Sequence, residues 1–192
     1  MTPAEKSQRL IETASAALHA APGHELNAVV LNKVLFYLDL ATLRDQGEAV
    51  TGNSYIALRN GPVISKYPQR LIAKLESLGI ARQDSRWDGA KPMVLEKCPT
   101  HFEFLSPDTM LLVSEVTDFF ADSTSQAASD FSHKNPGWQI AWKHFRREGK
   151  PKAINLQIAM QQIVESDPWM ETPLVDEAAL LNAADAGLGD DW

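Results

Sequence analysis

A compact, mainly α-helical domain with one small β-hairpin is the fold class this sequence predicts, on three observations. Between Leu26 and Ala41 stand Leu26, Val29, Val30, Leu31, Val34, Leu35, Phe36, Leu38 and Leu40, apolar groups around nearly the whole circumference of a helix. A helix of that kind is enclosed by neighbours on several sides. Further segments with helical periodicity flank it, each bounded by capping residues, glycine or proline. Asp88-Gly89, a pair suited to a type I′ turn, joins two short runs, Ile80 to Trp87 and Ala90 to Lys97, as a hairpin. With 192 residues, 44% of them hydrophobic, the chain can bury one good core. One domain, residues 1–165, is therefore expected, followed by an acidic C-terminal tail, 166–192, holding a short amphipathic helix.

The elements follow in order. Thr2-Pro3-Ala4-Glu5 supplies a capping residue, a proline at the first helical position and a glutamate placed to bond back, opening a helix that Pro22-Gly23 stops. Leu10, Ile11, Ala14, Ala17, Leu18 and Ala21 form its apolar stripe. The central helix ends at Gly47. Next come Thr51-Gly52-Asn53, a short extended run Tyr55 to Leu58, and a rigid turn Asn60-Gly61-Pro62. Leu71, Ile72, Leu75 and Leu78 line a helix closed by Gly79, and the hairpin follows. Ser106-Pro107-Asp108 opens a helix carrying Leu112, Val113, Val116, Phe119 and Phe120. Ser123 with Gln126 starts a shorter one reaching Ser132-His133. Asn135-Pro136 caps another, whose Trp138, Ala141, Trp142 and Phe145 read as a core stripe. Ile154 to Val164 forms a further helix, and Asp167-Pro168 marks the edge of the body.

Charge narrows the function classes. The net charge of -7 is carried by the tail: from Ser166 to Trp192 there are seven acids and no Lys or Arg, so the remainder is neutral. A neutral body with an acidic tail argues against general nucleic-acid affinity and favours a partner with a basic surface. No apolar signal core opens the chain and no run approaches eighteen apolar residues, so neither export nor membrane spanning is expected. Cys98 stands alone, which fits a reducing cytoplasm.

Catalytic chemistry finds little support. Cys98-Pro99-Thr100-His101 is half of a zinc motif without a second half, and His19 and His24 are spaced wrongly for one helical face. Glu115, Asp118 and Asp122 share a face that reads as solvated. No phosphate-binding glycine loop occurs. Ser132-His133 are sequence neighbours with no third orienting group, so no catalytic residue, metal or cofactor is assigned. Lys33, Tyr37 and Asp39 interrupt the apolar central helix, and each needs a partner there. Lys33 reads either as half of a satisfied interior contact or, with Tyr37 one turn on, as a recognition site facing a groove beside Gly61-Pro62.

The segment LNKVLFYLDLATLRDQGEAVTGNSYIALRNGPV, with a later Leu-Gly-Ile and SDFSHKNPGW, resembles the Panacea domain of SocA-like bacterial and phage antitoxins. The resemblance covers roughly Leu26 to Phe145. Pro68 departs from it, standing where an uninterrupted helix is expected. It implies a non-enzymatic antitoxin that neutralises, by direct protein contact, a cognate toxin encoded nearby. Small alarmone synthetase-like toxins are among those paired with such domains, and a SocA-like member delivers its toxin to a protease. The residues expected to carry partner binding are Lys33, Tyr37, Asp39, Tyr55, Asn60, Gly61, Pro62, His133 and Trp138. A second class of reading is a winged-helix DNA-binding regulator using Lys66, Arg70 and Lys74 on the helix and Arg82, Arg86 and Lys91 on the wing. The stretch Arg59 to Lys97 carries a net of +4.

Overall fold

A computed structural model describes residues 1–85, 91–170 and 174. Helix α1 (Pro3–Ala20) begins with a complete capping box, Thr2 accepting from the Glu5 amide while the Glu5 carboxylate accepts from the Thr2 amide. A short turn then leads through β1 (Glu25–Asn27) into α2 (Ala28–Gln46), capped by the Asn27 side chain and ended by Gly47 in the left-handed region. Every residue from Val30 to Thr42 is buried. Helix α2 is the axis of the core, packed on α1, α4 (Pro107–Ala121) and α5 (Ser125–His133).

Two small antiparallel sheets complete the body. Strands β2 (Tyr55–Leu58) and β3 (Gly61–Ile64) form a hairpin with Leu58 opposite Gly61, so the turn is Arg59-Asn60. Gly61 and Pro62, expected in that turn, open β3 instead. The second hairpin pairs β4 (Ala81–Gln83) with β5 (Pro92–Leu95) as expected, and its Asp88-Gly89 turn lies outside the described residues. Strand β5 also pairs with β1 on its other side, a third strand beyond the hairpin expected from the sequence.

Pro68 does not break its helix. It sits in the first turn of a π-helical segment, Pro68–Ile72, that runs straight into α3 (Ala73–Ser77). Leu71, Ile72 and Leu75 are buried as expected, whereas Leu78 is exposed because the helix has ended before it. Thr124, not Ser123, caps α5. Asn135 caps α6 (Pro136–Glu148), and Gly149 ends it. The last expected helix is shorter: α7 (Leu156–Ala159) starts only after Asn155, whose side chain accepts from the Gln157 and Ile158 amides, and continues as a 3-10 turn to Ile163. Ile154 instead donates its amide to Tyr55 O at 2.8 Å.

Beyond Ile163, Asp167 pairs with Arg44, Trp169 is buried, and the Leu174 amide donates to Phe119 O at 2.9 Å. Among the described residues no helix is long and apolar enough to cross a membrane, and no group of three or more His, Cys, Asp or Glu is placed to hold a metal.

Candidate functional site

The polar interruptions of α2 have partners in its immediate surroundings. Lys33 is fully buried, and its Nζ donates to Asn60 O at 2.6 Å and Pro62 O at 3.3 Å. Among the described residues no carboxylate pairs with it, and burial pushes its pKa down to about 7. One residue earlier, Asn32 accepts from the Ile64 amide at 3.2 Å and donates to Ala28 O. Together these side chains satisfy the outer edge of β3, where Pro62 has no amide to offer. Gly61 is required at this junction. Its φ of 99° suits glycine, and a Cβ would fall onto Ser132 Oγ and within 2.7 Å of Lys33 Cε.

Asp39 performs a similar task one end further along. It accepts from the Thr51 amide at 2.6 Å, from Thr51 Oγ1, and from Tyr55 OH at 2.9 Å. Burial pushes its pKa up to about 6 against the opposing pull of these Thr51 and Tyr55 bonds. Burial first, and then the neighbouring Asp39, hold the Tyr55 phenol well above its ordinary value. Tyr37 donates to Gln162 Oε1 at 2.8 Å, and Asn135 donates to the same oxygen. Burial raises the Tyr37 pKa as well.

Lys33, Tyr37, Asp39 and Tyr55 are therefore interior struts with no surface for a partner. What they hold is at the surface. The Arg59-Asn60 turn is exposed, with Gly61 and Pro62 buried behind it. Behind this turn His133 stacks on Trp138 with ring centroids 4.1 Å apart, and Trp138 Nε1 donates to Leu58 O. Burial lowers the His133 pKa, while the Arg59 backbone and Asp130 oppose it.

In front of the turn lies an open groove of about 500 Å³. Ala28, Val29 and Asn32 from the start of α2 form one wall, and Leu58, Arg59, Asn60 and Val63 from the hairpin form the other. Tyr67 and Gln126 complete its lining. Half its lining is apolar and half polar, with Arg59 supplying the positive charge, a surface that can seat a protein segment. Arg59, Asn32 and Gln126 are not among the partner-binding residues expected from the sequence. Asn32 signalled itself as a polar group in an apolar helix, but nothing local marks Gln126 as near the hairpin.

The helix-then-hairpin order of the winged-helix reading is present, the helical run 68–77 leading into β4 and β5, but the β2–β3 hairpin separates that run from α2. Arg70 is spent on Asn53 and Arg82 on Glu96. Arg86 lies outside the described residues.

No curated protein and no solved structure matches the chain. A family model described as antitoxin SocA-like, Panacea domain, matches residues 31–139. That span holds the buried struts of α2, the β2–β3 hairpin and the His133–Trp138 stack, and it covers more than half of the sequence. This chain belongs to the SocA-like, Panacea-domain antitoxin family.

Proposed function

We propose that this family member neutralises a toxin encoded beside it by direct protein contact, seating a segment of that toxin in the groove beside the Arg59-Asn60 turn. One observation carries the reading. Lys33, Asn32 and Gly61 lock an exposed turn and a half-apolar groove onto the rigid core, the preorganisation that a binding surface needs. The polar groups of α2 are used up in holding shape, so the protein performs no reaction of its own and needs no cofactor. Its place of action is the cytoplasm. A small alarmone synthetase-like enzyme fits as the toxin. Handing the toxin to a protease is a further outcome of the same contact. Residues from 175 on, with five acids and no base, extend the contact to a basic toxin surface.

Co-expression of the neighbouring gene product tests this directly. Growth should be rescued and a stable complex should purify. Arg59→Glu and Asn60→Lys should each weaken it by roughly tenfold without altering thermal unfolding. Rescue that survives both substitutions together removes the groove. Truncation after Leu174 tests the tail, which leaves the account if affinity is unchanged. A DNA-binding regulator would instead show a salt-sensitive, specific shift of its own promoter fragment.

A further inference from the structure

Helix α6 has two faces, and only one is explained by the fold. Its inner stripe, Trp138 and Ala141 with half-buried Trp142 and Phe145, packs towards β2. Its outer stripe is exposed: Lys143, Arg146, Arg147 and Lys150 recur at i, i+3, i+4 and i+7, the last of them just past the Gly149 cap. From Lys143 to Lys152 there are five Lys or Arg and a single acid, Glu148, a net of +4 in a chain whose overall charge is -7. Glu148 engages Arg147 and His144, whereas Lys143, Arg146 and Lys150 have no ion pair among the described residues. Within this stripe Ile140 stands 55% exposed, three residues before Lys143 and seven before Arg147.

Helix-dipole complementarity accounts for part of this. Bases in the last turn are favoured there, which explains Arg146 and Arg147. It does not explain Lys143 a turn earlier, Lys150 and Lys152 beyond the cap, or a large apolar side chain left in water among them.

We propose that the outer face of α6 is a second docking surface, taking an acidic protein segment that presents carboxylates to Lys143, Arg146, Arg147 and Lys150 and an apolar side chain to Ile140. Charge complementarity gives the sign of the partner, and Ile140 gives its class. A single-stranded nucleic acid is gripped by open ring faces on which its bases stack. The rings of α6 are on the other side and are stacked on one another, Trp138 on Trp142 at 5.5 Å and Trp142 against Phe145 at 5.3 Å. An exposed isoleucine flanked by bases instead matches the way an amphipathic protein segment is gripped. No residue of this face lines the groove beside the hairpin, so the inference goes beyond the toxin-seating site and does not depend on it.

The test uses the full chain and fluorescence anisotropy with a labelled peptide of repeated Glu-Glu-Leu-Glu units, its Glu-Glu-Ser-Glu counterpart, and a labelled oligouridine. The leucine peptide should bind, and raising NaCl from about 50 mM to about 300 mM should weaken it severalfold. Replacing Lys143, Arg146 and Arg147 together by glutamine, a set that spares the fold, should cost about tenfold or more. Ile140→Ser should cost about threefold to fivefold on the leucine peptide and nothing on the serine one. The proposal is overturned if wild type binds no acidic peptide, if the glutamine variant binds equally well, or if oligouridine is the tighter ligand and is the one lost in that variant. No toxin enters the assay, so its failure and a failure of the antitoxin reading are separate results.

Discussion

Substituting Gly61 by alanine should be among the most damaging single-methyl changes available to this protein. Two costs combine. At φ 99° a residue with a Cβ is strained, by about 1 to 3 kcal/mol. The Cβ would also fall on Ser132 Oγ and within 2.8 Å of Lys33 Nζ, pushing the amine off Asn60 O and Pro62 O. A buried polar group that loses its partner costs about 1 to 3 kcal/mol. The combined loss is roughly 3 to 5 kcal/mol, a large fraction of the stability of an ordinary domain. Gly79→Ala is the control, because Gly79 also has positive φ (64°) but has nothing within 4 Å of its would-be Cβ. Urea unfolding of both variants separates strain from crowding: Gly79→Ala should lose only about 1 kcal/mol. If Gly61→Ala loses no more than Gly79→Ala, the account of Lys33 as the strut beneath the turn is wrong.

Further outcomes are expected. The native Lys33 pKa of about 7 lies below its ordinary value of 10.5, so the unfolded chain binds more protons between those values and stability should rise with pH there. Asp39 has the opposite slope: its native pKa of about 6 lies above 3.8, so the native state binds more protons and stability falls as pH rises through that interval. Urea midpoints measured against pH should thus pass through a minimum near neutrality. Lys33→Met should flatten the alkaline limb, and Asp39→Asn the acid one. Gly137→Ala should cost about 1 to 3 kcal/mol by overpacking, because its Cβ would lie 2.8 to 3.0 Å from the side chain and backbone of Ala159, as a shift in thermal midpoint would show. Thr2→Ala should cost about 1 kcal/mol through loss of the α1 cap, read in the same way.

Much of this architecture is legible in the sequence because it is local. The Thr2, Ser106 and Asn135 caps and the left-handed ends at Gly47 and Gly149 each depend on a few adjacent residues, and each stands where the sequence puts it. Strand β1 escapes notice because three residues are too few to show alternation and they run directly into an apolar helix. The site is harder to read. That Lys33, Tyr37 and Asp39 need partners follows from their setting, but whether those partners lie within the fold or on another molecule does not. Asn60 is 27 residues from Lys33 and Gln162 is 125 from Tyr37, so only the tertiary structure shows them inside. The groove has the same origin, since Val29, Arg59 and Gln126 meet only after α2, the hairpin and α5 have packed.

The β2–β3 hairpin offers no vacant rim. Residues 153 and 154 run along β2, through the Ile56–Ala153 bridge and the bond from the Ile154 amide to Tyr55 O, and two side chains of α2 close off β3. A visiting chain therefore cannot lengthen this sheet through main-chain pairing, which is tolerant of sequence, and must be discriminated by side chains at the turn. Positions such as Arg59 and Asn60 can then be exchanged without disturbing the buried frame, leaving a scaffold free to change its choice of target while its interior stays fixed.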